Sequence, residues 1–181
     1  MLIARREIML GAAAVAAGAA IATPVMASGR IEARLKQLGI ELPESGPAPV
    51  ANYTPTLTHG NTLYVAGQIP FRGKELAFKG RVGSDLTLED GRAAARIVGI
   101  NMLALLKRHL NGDLDKIKAV VRIDGFVSSA NDFFQQPQVM NGISDLMVEV
   151  FGEAGRHTRT AVGVNVLPLN APCEINAEFA L

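Results

Sequence analysis

The segment Cys173-Glu174-Ile175-Asn176-Ala177-Glu178-Phe179 alternates strictly between apolar and polar residues, and this alternation constrains the fold more than any other feature of the chain. Successive side chains of a strand point to opposite sides. A strand written this way belongs in a sheet with one face buried and one face open. The run from Arg159 to Val166 alternates as well. Thr160, Val162, Val164 and Val166 share one side, and Arg159, Ala161, Gly163 and Asn165 share the other. Leu167 to Pro172 joins the two runs, so they read as an antiparallel hairpin. The apolar sides, including Thr160, Val162 and Val164, are expected to lie under helices. The other side carries one guanidinium, small residues and amides. Ala161 and Gly163 leave room for a backbone or ligand to approach, so this face is expected to form a subunit interface with a cleft in it. In hairpin register Asn165 lies opposite Glu174, and Arg159 is then about 20 Å further along at about 3.3 Å per residue. The two residues can serve one small site only if they come from neighbouring copies of the chain.

Two helical patterns account for what covers such a sheet. Thr87-Leu88-Glu89-Asp90 is a capping-box start, followed by Ala93, Ala94, Ile97, Val98, Met102, Leu105 and Leu106 at helical spacing, with Asn111-Gly112 beyond. Gln138 to Phe151 is a second helix, stopped by Gly152. A short helix is expected over Arg30 to Leu38. Tyr53 to Thr58 and Thr62 to Gln68 flank a His59-Gly60-Asn61 turn and read as a hairpin. Arg72-Gly73-Lys74 suggests a second, weaker one, and Lys118 to Val127 another strand. The order β-β-(β)-α-β-α-β-β is an α+β pattern, a mainly antiparallel sheet with two long helices on one face.

The N terminus reads as an address rather than as part of the fold. Arg5-Arg6 precedes Ile8 to Ala22, an uncharged run dominated by Ala and Gly, and Val25-Met26-Ala27 offers a small-x-small cleavage site. The run is short for a membrane span, which takes about 20 residues. The arginine pair resembles the twin-arginine export motif. Residues 1–27 are therefore expected to be an export signal and 28–181 the folded domain, periplasmic or otherwise exported and without stable membrane association after cleavage.

Charge and cysteine content exclude several classes. Net charge is +1, and without Arg5, Arg6 and Glu7 the chain holds 16 basic and 16 acidic residues. A nucleic-acid partner, which calls for a basic excess, is not expected. The single cysteine, Cys173, excludes an intramolecular disulfide and sits at an apolar strand position, so a packing role is expected. His59, His109 and His157 lack metal-ligand spacing, and no metal is expected.

Arg159-Thr160-Ala161-Val162-Gly163-Val164, then Leu167-Pro168 and Glu174-Ile175, resembles the C-terminal signature of the Rid (reactive intermediate deaminase) or YjgF family. Gly60-Asn61 followed by Val65-Ala66-Gly67-Gln68-Ile69-Pro70 resembles its N-terminal signature. Ile31 to Leu35 and Asn141 to Leu146 look like a longer branch of that family. The resemblance runs from about residue 30 to 181 and implies a chorismate-mutase-like fold. It further implies a homotrimer with a central barrel and small-molecule clefts between subunits. It implies cofactor-free hydrolysis of small imines and enamines, such as 2-aminoacrylate, to 2-oxo acids and ammonia. By motif, Arg159 would bind the substrate carboxylate and Glu174 would hold the attacking water. Tyr53, Gly67, Asn141 and Ala161 would line the substrate site. Ala66 stands where many members have Ser, and Ala161 where active members often have Cys, so any role of Ala161 would fall to its backbone carbonyl. The alternative is a non-catalytic trimer that binds a small carboxylate.

Overall fold

The computed structural model describes residues 29–44 and 51–181. The expected export signal, residues 1–27, lies outside the described residues.

The elements follow the sequence reading closely. Helix α1 spans Arg30–Gln37 and buries Ile31 and Leu35. The Asp115 carboxylate accepts from the backbone N–H groups of Gly29, Arg30 and Ile31, which satisfies donors a helix start leaves unpaired. Strands β1 (Thr56–His59) and β2 (Thr62–Gln68) form the expected hairpin, and β3 (Phe71–Arg72) and β4 (Glu75–Leu76) the weaker one. Helix α2 (Leu88–His109) starts at a complete capping box, Thr87 and Asp90 each bonding the other's backbone N–H. Strand β5 is Ala119–Ser128, helix α3 is Gln136–Phe151, β6 is Thr158–Val164 and β7 is Cys173–Ala180.

The five-stranded sheet has the order β1-β2-β7-β5-β6, antiparallel except for the parallel pair β5–β6. Helices α2 and α3 pack on one face, over Leu63, Ile123, Cys173, Ile175 and Phe179, all fully buried. Each of the Leu, Ile and Phe side chains contributes roughly 1.5–3 kcal/mol on leaving water.

Two expectations about the C-terminal strands are corrected. First, β6 and β7 are not a hairpin, because β5 lies between them. The stretch β5–α3–β6 is a crossover unit that returns the chain parallel to β5. The connection after β6 then carries the chain past β5, through Leu169 and Asn170, both in the left-handed region (φ 56° and 62°). Second, β6 faces the opposite way. Arg159, Ala161 and Gly163 pair with Ile123, Gly125 and Val127 and look toward α3, whereas Val162 pairs with Phe126 on the open face and is 41% exposed. The small residues on this side make room for the helix. A Cβ at Gly163 would crowd Gln136 and Ser129, and one at Gly125 would run into the thioether of Met140. The apolar side of β7, by contrast, does lie under the helices.

Candidate functional site

The predicted site residues fall into two groups. The first gathers on α3 and β6. Asn141 and Ser144 are one turn apart on α3, so both side chains project from the same helix face. Arg159, on the edge strand β6, meets them there. Its Nη1 donates to Asn141 Oδ1 at 2.9 Å and to Ser144 Oγ at 3.0 Å. His157 lies on the other side of Ser144, with Nε2 at 3.1 Å from Oγ and Nδ1 at 2.7 Å from the Gly155 carbonyl. Its pKa is lowered, first by burial of the half-buried ring and then by the nearby Arg159 charge, while the Gly155 bond acts in the opposite sense. Ala161 follows Arg159 on the same side of β6, half-buried against the core.

The second group surrounds Glu174 on the open face. A bulge in β2, marked by the register shift between Val65 and Gln68, brings Ala66 and Gly67 alongside β7. Gln68 secures the bulge by donating from Nε2 to the carbonyls of Ala66 and Gly67. The Glu174 carboxylate occupies the space where a Gly67 side chain would be. An open cleft of about 630 Å³ lies here, lined by Tyr53, Leu57, Tyr64, Gly67, Phe126 and Glu174 among others. Tyr53, Leu57, Tyr64 and Phe126 are 53%, 55%, 40% and 39% exposed, an apolar rim around one carboxylate.

Within one chain the two groups do not meet. Glu174 is level with Phe126 and Val162 on the open face, while Arg159 is level with Ile123 and Ala177 on the helix face. Two strand spacings and three residues separate them, roughly 10 Å across and 10 Å along, on opposite sides of the sheet. Both could serve one small site only if drawn from two copies, by this separation and not by the hairpin register expected from the sequence. Among the described residues, no cluster of three His, Cys, Asp or Glu side chains is placed to hold a metal ion.

Three comparisons place this architecture. A family model described as "YjgF/chorismate mutase-like, putative endoribonuclease" matches residues 32–180. The chain belongs to the YjgF/chorismate mutase-like family. A crystal structure of the protein Atu1372 from Agrobacterium tumefaciens, whose function is given as unknown, is 45% identical with a TM-score of 0.78, covering 84% of this chain and 92% of that one. Protein TCP17 of Trypanosoma cruzi is 44% identical over 154 residues, 84% of this chain and 95% of that protein. A relative named 2-iminobutanoate/2-iminopropanoate deaminase, from Dermatophagoides farinae, is 28% identical over 131 residues, 72% of this chain and 87% of that protein.

Sequence reasoning missed Ser144, Tyr64 and Phe126. Ser144 had a signal, its position one turn after Asn141 on a helix facing the arginine strand. Phe126 had none, since an aromatic residue in a central strand is ordinarily core.

Proposed function

We propose that this YjgF-family protein hydrolyses small imines and enamines that carry a carboxylate, as a homotrimer in which Arg159 of one copy and Glu174 of the next share a cleft. One observation carries the reading: a guanidinium held by two neutral side chains, with no carboxylate within salt-bridge distance among the described residues. An arginine arranged this way keeps charge and donors for a ligand anion. The open face supports the second half, because exposed Leu57, Tyr64, Phe126 and Val162 form an apolar surface beside Glu174 that a second copy can cover. The deaminase name of the relative from Dermatophagoides farinae supports the reaction class.

In this reading Arg159 grips the carboxylate and holds the C=N carbon against a water, which lowers the entropic part of the barrier. Glu174 orients that water and accepts a proton as its oxygen bonds to carbon. Glu174 returns that proton to nitrogen, which gives a carbinolamine; transfer of the hydroxyl proton to nitrogen as the C–N bond breaks then releases ammonia and leaves the 2-oxo acid. Ala161 and Gly67 present backbone to the substrate, and Tyr53 closes the apolar side.

The test generates imines in situ with an amino-acid oxidase and follows their decay. Acceleration by the protein, lost at least about a hundredfold in Arg159→Ala with assembly intact, is the expected result. A second reading, a non-catalytic carboxylate binder, is favoured by the placement of the clamp and Glu174 on opposite sides of one chain; binding of 2-oxo acids without any acceleration would support it. We propose separately, from the arginine pair and apolar run of the sequence, that residues 1–27 are an export signal; fractionation of cells should then recover the domain outside the cytoplasm.

A further inference from the structure

Arg159 has five N–H donors, and its contacts engage two of them. Both hydrogens of Nη1 are taken, one by Asn141 Oδ1 and one by Ser144 Oγ. Nε and Nη2 have no hydrogen-bond partner among the described residues. The end-on pair, Nη1 with Nη2, is thereby half consumed. The side-on pair, Nε with Nη2, keeps two parallel N–H bonds for the two oxygens of one carboxylate.

Ser144 is itself held from behind. The Gly155 carbonyl, 2.7 Å from His157 Nδ1, can only accept, so Nδ1 carries the proton. In the neutral ring Nε2 is then an acceptor, and Ser144 donates its O–H to it across 3.1 Å. This turns a Ser144 lone pair toward Arg159. The donors run in one direction, Arg159 to Ser144 to His157 to Gly155, and each finds one acceptor. Burial of the imidazole and the adjacent guanidinium both favour the neutral ring that the chain of bonds requires.

We infer that Ser144 and His157 are positioning residues, which turn the Nε/Nη2 edge of Arg159 toward an incoming carboxylate. The inference rests on the reading of Arg159 as the carboxylate clamp. Ser144 acts directly on the guanidinium, and His157 acts through Ser144. Neither touches the reacting carbon, so their loss weakens capture of the carboxylate and leaves the chemical step nearly unchanged.

The experiment titrates 2-oxobutanoate, the product of 2-iminobutanoate hydrolysis, into the full-chain protein by calorimetry, with kcat and KM for the imine measured in parallel. Ser144→Ala should weaken binding about tenfold and raise KM to match, with kcat within about twofold, the size of one lost charge-assisted bond. Ser144→Cys, which keeps the volume and loses the strong acceptor, should do the same, and it carries the test if the alanine variant unfolds. Ser144→Thr should stay within about twofold of wild type, and His157→Phe should weaken binding less than Ser144→Ala, because the serine oxygen still accepts from Arg159. If Arg159→Ala abolishes binding while Ser144→Ala and Ser144→Cys bind like wild type, the inference fails and the clamp stands. A loss in kcat alone overturns it as well. If wild type does not bind 2-oxobutanoate, or if Arg159→Ala binds as wild type does, the clamp and the inference fall together.

Discussion

Gly67 has no space for a side chain, because the Glu174 carboxylate lies where its Cβ would be. Gly67→Ala must therefore displace the carboxylate, and a loss of at least about tenfold in kcat/KM is expected with little change in melting temperature. Cys173 behaves oppositely to a functional thiol. Full burial, with a smaller push from the Glu174 charge, raises its pKa to about 12. It should resist iodoacetamide at pH 8 in the native protein and react on unfolding, as mass spectrometry would show. His157 adds a pH dependence to stability. Its folded pKa lies below the ordinary value near 6.5, so as pH falls the unfolded chain takes up this proton first. The contribution is complete above about pH 6.5 and is lost as pH falls through the folded pKa. Urea unfolding should show a larger loss between pH 7 and pH 5 for wild type than for His157→Gln. At this scale Glu174 and Asn176 were legible, since strand alternation places both on the open face. The motif singled out Arg159 but not its orientation, because alternation says that two sets of residues face opposite ways without saying which set meets the helix.

The packing of α2 on α3 depends on close approaches, the tightest of them to backbone. A Cβ at Gly142 would overlap the backbone carbonyl of Arg92, and this contact cannot give as a flexible side chain would. Gly142→Ala should cost about 3 kcal/mol in chemical unfolding, at the upper end of overpacking penalties. Thr87→Ala, which removes a capping-box partner, should cost only about 1 kcal/mol. Element boundaries were readable because caps and turns are local: Thr87 with Asp90 at one helix start, Gly152 at a helix end with φ 64°, Gly60-Asn61 between β1 and β2. The pairing of β6 was not. Leu167 to Pro172 has the length of a hairpin loop, and nothing within it reports that β5 stands between the strands it joins. That information sits in the crossover through α3 and in the small residues Gly125, Ala161 and Gly163. Those residues admit the helix, yet from sequence they suit an interface equally well.

At the scale of the whole molecule, one chain holds two groups of candidate residues on opposite sides of its sheet. Arg159 of β6 meets Asn141 and Ser144 of α3, with His157 behind Ser144, on the helix side, and the carboxylate of Glu174 lies among exposed apolar residues on the open face. The fold class was legible from the order of elements and the strand alternation. The separation of the two groups was not, because it depends on strand order. The proposed function requires the working site to join these two groups from neighbouring copies in a closed ring. Arg159→Ala and Glu174→Ala subunits, each inactive alone, should therefore complement each other when co-refolded in equal amounts. In randomly mixed cyclic trimers about a quarter of the sites would pair an intact Arg159 with an intact Glu174, so about a quarter of wild-type imine hydrolysis should return. Mixed trimers that form and show no recovered activity would contradict the claim.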